Sequence, residues 1–175
     1  MDLDAVIRRI PDHPRPGIMF FDLTTLFADP AAFRFAADRL AEAAAPLCPD
    51  VILVAEARGF VCGAVLAYRL GAAFVPARKP HKLPGPTIGV EYSLEYGVDE
   101  LHVHRGAIRP GQRVLIHDDL LATGGTAVAK RELAERAGGI PVGFSFIVEL
   151  DFLGGRARLA PLPVQSLVHY SSEAA

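Results

Sequence analysis

Leu3, Val6, Ile7 and Ile10 recur at helical spacing and are stopped by Pro11, which predicts a short amphipathic helix over residues 1–10. Three prolines between 11 and 17 then predict an extended connector. Asp29 followed by Pro30 is an N-cap and first-turn pair. The alanine-rich run behind it carries Phe33, Ala37, Leu40 and Ala44 on one face before Pro46 ends it. From Val51 the pattern changes to a continuous apolar run to Ala55, as suits a strand buried on both faces of a parallel sheet. A helix over 59–70 with Gly71 as its stop follows, then a strand over 73–77. Further along come a strand over 113–117 introduced by the turn Arg109-Pro110-Gly111, and a helix over 126–137 closed by Gly138 and Gly139. Strands over 142–148 and 165–169 complete the pattern. Strands alternating with helices predict an α/β fold whose central sheet is mostly parallel and flanked by helices.

Residues 78–97 break this alternation. Pro80, Pro84, Gly85, Pro86 and Gly89 make the segment too long and too interrupted for an ordinary connection, which predicts a functional lid.

Composition narrows the possibilities. The 175 residues suit one domain, and 18 basic against 20 acidic residues leave a net charge of −2, so no overall field draws the chain to nucleic acid. Any phosphate site must be local. The N-terminus lacks the apolar core of an export signal, and the apolar run 59–68 is half of what a membrane span needs. The two cysteines, Cys48 and Cys62, form no C-x-x-C pair, so reduced thiols and a cytoplasmic location are expected. His102 and His104 read as a pair of surface histidines on an edge strand.

The stretch VLIHDDLLATGGTA, residues 114–127, carries the clearest chemistry. A buried strand runs into two acids and a glycine-rich turn before a helix, the place where open α/β sheets bind ligands. The turn's NH groups and the helix N-terminus favour an anion, and Thr123 and Thr126 add hydroxyl donors. Adjacent carboxylates would repel that anion if aimed at it. Placed just upstream, they can accept from vicinal hydroxyls, so a 5-phosphorylated ribose satisfies both halves. Neither G-x-x-x-x-G-K-[ST] nor G-x-G-x-x-G occurs in the chain.

This stretch resembles the phosphoribosyl pyrophosphate motif of the type I phosphoribosyltransferases, in the form carried by members that act on adenine. PDHPRPGIMFFDLTTLFADPAAF from residue 11, EARGF from 56, RKPHKLPG from 78 and YSLEYG from 92 resemble further segments of that family in order and spacing. The resemblance implies a type I phosphoribosyltransferase fold with a small N-terminal hood over roughly 1–30, a core over 31–175 and a mobile lid over 79–97. It also implies transfer of the phosphoribosyl group to adenine, giving AMP and pyrophosphate, with Mg²⁺ as cofactor and a homodimer as the assembly. Another purine base, or a non-catalytic sensor of the same donor, is the alternative. A sensor controlling nucleic acid would need an added domain or a basic face.

By the same resemblance, Asp118 and Asp119 hold the ribose hydroxyls and touch the metal indirectly through substrate and water. Ala122, Thr123, Gly124, Gly125 and Thr126 wrap the 5-phosphate. Glu56, Ala57, Arg58 and Gly59 match the pyrophosphate loop, where the family often has a cis peptide, and Arg78, Lys79 and Lys82 supply local positive charge for the leaving group. Glu95, with Tyr96, lies in the segment matching the lid, where the glutamate exchanges a proton with the base. Phe20 and Leu150 are placed to sandwich adenine, and backbone groups near Met19 and Phe21 to read its edge. Three residues depart from the pattern: Phe21 where arginine is frequent, His81 where glycine is common, and His117 in place of an apolar residue.

Overall fold

The computed structural model describes residues 1–93 and 98–172. In chain order it contains β1 (Arg8–Ile10), β2 (Phe20–Asp22), α1 (Thr24–Ala28), α2 (Pro30–Ala44), β3 (Val51–Ala55), α3 (Gly59–Leu70), β4 (Ala73–Ala77), β5 (Thr87–Ser93), β6 (Val98–His104), β7 (Arg113–Leu121), α4 (Gly125–Arg136), β8 (Ile140–Leu150) and β9 (Val164–Tyr170). Asp29 caps α2 as its sequence position predicts, its carboxylate accepting from the NH groups of Ala31 (2.8 Å) and Ala32 (3.0 Å).

Five strands form one sheet in the order β4-β3-β7-β8-β9, every neighbouring pair parallel. The chain winds outward from β3 to β4, then returns to the other side of β3 to lay down β7, β8 and β9. The strand order therefore reverses between β3 and β7, and a crevice opens beyond their C-terminal ends. Helices α2 and α3 cover one face, and α4 with the β5–β6 hairpin covers the other, giving an apolar core on each side of the sheet. Val51 to Ala55 are all buried, as a strand sandwiched between two helical layers must be.

Two expectations are corrected. Residues 1–10 do not form a helix: a single 3-10 turn over Asp4–Val6 leads into β1, which pairs antiparallel with β2. Leu3 and Ile7 are buried as the spacing requires, but one tight turn is enough to place them. The backbone beyond then finds a strand partner, and the Arg8 guanidinium pairs with Asp22 across the ribbon. Part of the broken segment 78–97 is strand instead, β5 over Thr87–Ser93, which pairs with β6 in register from Thr87↔His104 to Ser93↔Val98. Alternation in β5 was masked by prolines crowded into 80–86, where the loop does lie. His102 sits on this hairpin, its Nδ1 2.9 Å from the Thr87 hydroxyl and its Nε2 2.6 Å from Glu100 Oε1.

Candidate active site

β7 runs four residues beyond its predicted end, so both acids are strand residues at the rim of the crevice. Successive strand side chains point to opposite faces. His117 and Asp119 turn toward α3, and Asp118 toward α4. Gly63 packs so near His117 that a Cβ would stand 3.4 Å from its Cδ2. Lys130 of α4 reaches Asp118 Oδ2 at 2.7 Å. The start of α3 also crowds this point: a Cβ at Gly59 would stand 2.5 Å from Asp118 Oδ1, so glycine there permits the close approach.

A cavity of about 380 Å³ lies over these acids, lined by Glu56, Ala57 and Arg58 on one side and by residues 118–127 on the other. All five predicted phosphate-loop residues, Ala122 to Thr126, line it. Gly124 takes φ +82° and no side chain caps α4, leaving the first NH groups of the helix without intrahelical partners. The loop is braced from outside: a Cβ at Gly155 would stand 2.1 Å from Ala122 O, and Arg158 donates to Thr123 O at 3.0 Å.

On the opposite wall the Glu56–Ala57 peptide is cis. The Glu56 carboxylate accepts from Arg78 Nη2 (2.8 Å), Arg78 Nε (3.2 Å) and the Lys79 NH (2.7 Å). Burial pushes its pKa up, but these donors outweigh burial and hold it below the ordinary value. Glu56 thus fixes the basic segment while lining the cavity. Lys79 lines the cavity and pairs with Asp99, which also accepts from the Tyr92 hydroxyl at 3.1 Å; Lys82 does not line the cavity. His81, at the position where the family commonly has glycine, adopts φ +64°, the left-handed conformation that glycine takes without steric cost.

Arg58 joins the cavity to β2. Its Nε lies 2.8 Å from Asp119 Oδ2, an ion pair outside hydrogen-bonding geometry, and its guanidinium sits 5.4 Å over the Phe20 ring. The four residues expected at the base do not line the cavity as it stands. Phe20 carries Arg58 on its face and the edge of His13 at 5.0 Å, and Leu150 is buried at the end of β8. Phe21 is turned into the core and stacks on Tyr170 at 3.9 Å, while Met19 packs against the core edge. Glu95 and Tyr96 lie outside the described residues.

Sequence reasoning missed Lys130, Asp99 and Tyr92. Tyr92 falls in the segment 78–97 read as a broken loop, and Asp99 lies just beyond it, at the start of the strand of which only the end, at His102 and His104, was read as a strand. Lys130 was legible: it falls between Ala127 and Leu133 at helical spacing, a lysine on the buried stripe of the helix that follows the acids.

Burial, reinforced by the Asp118 charge and partly offset by Arg58, pushes the Asp119 carboxyl up to about 6. The folded chain therefore holds this proton more tightly than the unfolded chain, whose carboxyl titrates near ~3.9. The resulting stabilisation is complete below about pH 4 and is lost as pH rises through about 6. Thermal unfolding of the ligand-free protein should accordingly show a Tm difference, wild type minus Asp119→Asn, that falls between about pH 4 and 7. A flat difference contradicts this. His117 acts in the opposite sense in the same window: complete burial, beside Ser145 Oγ at 3.4 Å, pushes it down to about 4, so the unfolded chain takes up its proton first as pH falls below ~6.5; this is common to both proteins and cancels in the difference.

No family model matches the chain. Curated relatives match almost end to end. An adenine phosphoribosyltransferase of a Synechococcus strain is 53% identical over 170 residues, covering 97% of this chain and 99% of that protein. The crystal structure of adenine phosphoribosyltransferase from Thermoanaerobacter pseudethanolicus superposes with a TM-score of 0.93 at 49% identity, covering 96% of this chain and 98% of that one. The Saccharomyces cerevisiae enzyme, complexed with an imino-altritol bisphosphate and adenine, superposes with a TM-score of 0.88 at 40% identity over 94% of this chain and 96% of that one. With the two adjacent acids, the open helix N-terminus and the basic wall gathered at one crevice, and with identity of this depth over nearly the whole length, the chain belongs to the adenine phosphoribosyltransferase family.

Proposed function

We propose that the chain transfers the 5-phosphoribosyl group of phosphoribosyl pyrophosphate to adenine, giving AMP and pyrophosphate. The observation that carries this reading is a single cavity that sets Asp118 and Asp119 beside the uncapped N-terminus of α4 and opposite Arg58 and Lys79. The acids accept from the ribose hydroxyls, and the NH groups of 122–126 take the 5-phosphate. Arg58 and Lys79, both held by acids in the ligand-free site, are free to exchange those partners for pyrophosphate oxygens. As the bond at ribose C1 breaks, positive charge grows on the sugar, and the carboxylates below it stabilise that charge where water is excluded. The adenine ring lies between Phe20 and Leu150, with its edge read by backbone groups near Met19 and Phe21. Arg58 must leave the face of Phe20 for this, which couples pyrophosphate binding to opening of the base site.

The donor set fits a magnesium ion. Asp118 and Asp119 offer hard carboxylate oxygens at the diol, and Asp119 Oδ2 carries no hydrogen bond although buried. When bound, the ion neutralises charge on the pyrophosphate, held mainly by substrate oxygens and water. We also place the enzyme in the cytoplasm, a reading supported by two unbridged cysteines. It acts as a homodimer, supported by an apolar strip on the outer face of α3 where Val61 is 40% and Tyr68 85% exposed.

The test is formation of AMP from adenine and phosphoribosyl pyrophosphate with Mg²⁺; binding of the donor without turnover would make the chain a sensor. Glu95 is the proton-exchanging group in this reading. Glu95→Gln should lower kcat on the order of 10²-fold with KM for both substrates little changed. A raised KM at unchanged kcat would make it a binding group.

A further inference from the structure

Lys130 is completely buried, and among the described residues no other cationic side chain is. It stands on α4 one turn beyond the phosphate loop. Its ammonium donates to His117 O at 2.8 Å and to Asp118 Oδ2 at 2.7 Å. Burying an ammonium is costly unless it is paired, and an alanine or leucine on the same stripe would pack against the sheet without that cost. Packing therefore does not account for a lysine here. Its partners show what it does: one is the carbonyl just before the acid, the other the acid itself, so the same group fixes the local backbone and the carboxylate.

Asp118 Oδ1 meanwhile accepts from the Asp119 NH at 3.1 Å. Each carboxylate oxygen is thus held once, which leaves about two of the ~four lone-pair sites for a ligand. The two acids also differ in their counter-charges. Arg58, beside Asp119, is 51% exposed and can swing to a phosphate; Lys130 is 0% exposed and cannot. When a polyanionic donor arrives, Asp118 keeps its cation and Asp119 gives one up.

We propose that Lys130 is a positioning residue of the ribose site: it pins Asp118 and supplies the fixed positive charge that lets a phosphorylated, pyrophosphate-bearing sugar settle against two adjacent carboxylates. This rests on the reading that the cavity takes the phosphoribosyl donor.

Steady-state kinetics of the wild type, Lys130→Met, Asp118→Asn and the double variant test it, with each substrate varied at saturation of the other. Lys130→Met should fold, because Asp118 opens onto the cavity where water can solvate it. KM for phosphoribosyl pyrophosphate should rise about tenfold or more while KM for adenine stays within about twofold, a split that a merely structural role would not produce. In the Asp118→Asn background the lysine change should add nothing. The double variant removes both ends of the pair and leaves no stranded charge; where Asp118→Asn alone does not fold, the donor KM of Lys130→Met against wild type decides the proposal. A donor KM within about twofold of wild type, an equal rise in both KM values, or a full additional loss in the double variant each overturns the proposal. If the wild type forms no AMP, the functional reading fails on its own, and calorimetric binding of phosphoribosyl pyrophosphate to wild type and Lys130→Met still decides the role of Lys130. Equal affinities, or no binding to either, overturn it.

Discussion

Replacing Asp118 and Asp119 together by asparagine will bring AMP formation below detection. A hydrogen bond from a ribose hydroxyl to a carboxylate contributes roughly 1.5 to 3 kcal/mol, against about half that for a neutral amide acceptor, and the carboxylates also face the charge that develops on the sugar. Two such losses, with the electrostatic one, amount to a fall in kcat/KM on the order of 10³-fold or more. The two sites will differ in what they do to the fold. Asp118→Asn strands the buried Lys130 without its acid, a change that costs about 3 to 5 kcal/mol when it leaves a buried charge unpaired. Asp119→Asn removes a carboxylate that burial already disfavours as an anion, so it should leave the stability at neutral pH unchanged or higher. Circular dichroism and thermal unfolding must therefore accompany the assay, and Asp119→Asn alone gives the reading in a stable protein. Activity retained by a folded double variant would remove the ribose from this end of β7.

Adenine will be the preferred base by a factor on the order of 10² or more over hypoxanthine and guanine. The departure at Phe21, where the family frequently has arginine, is the obvious reason to expect otherwise. Yet Phe21 is buried and stacked on Tyr170, so its side chain does not compete to read a base edge. In the proposed base site the choice is left to backbone groups near Met19 and Phe21, which flank Phe20. Adenine presents an amino donor and an unprotonated ring acceptor where the oxopurines present a carbonyl and a ring NH. A backbone pair matched to one mismatches the other at both positions, and each buried polar group left unpaired costs about 1 to 3 kcal/mol. The measurement is kcat/KM for the three bases under one set of conditions. Comparable values, or a preference for an oxopurine, would show that stacking Phe21 inward has rebuilt the base pocket.

Wherever information was local, the sequence sufficed. Val51–Ala55 and Gly59–Leu70 stand where the apolar run and the Gly71 stop put them, because a strand buried on both faces and a capped helix are written in consecutive residues. The loop over 122–126 was legible as part of a cavity for the same reason: two acids, a glycine turn and a helix start are contiguous, and Ala122 to Thr126 line the cavity together. Elements that depend on a distant partner were not legible. Residues 8–10 become a strand because residues 20–22 lie beside them, and β5 forms because β6 returns along it. Opposite duties for neighbouring acids were likewise invisible. Asp118 meets Lys130 and Asp119 meets Arg58 only because the pleat of β7 sends them to different faces, where α4 and the start of α3 are packed. The chain's own order thus determined which groups stand together at the end of β7; the packing of two layers on one sheet decided which charge each acid keeps, since counter-charges come from residues remote in sequence and near only in the folded state.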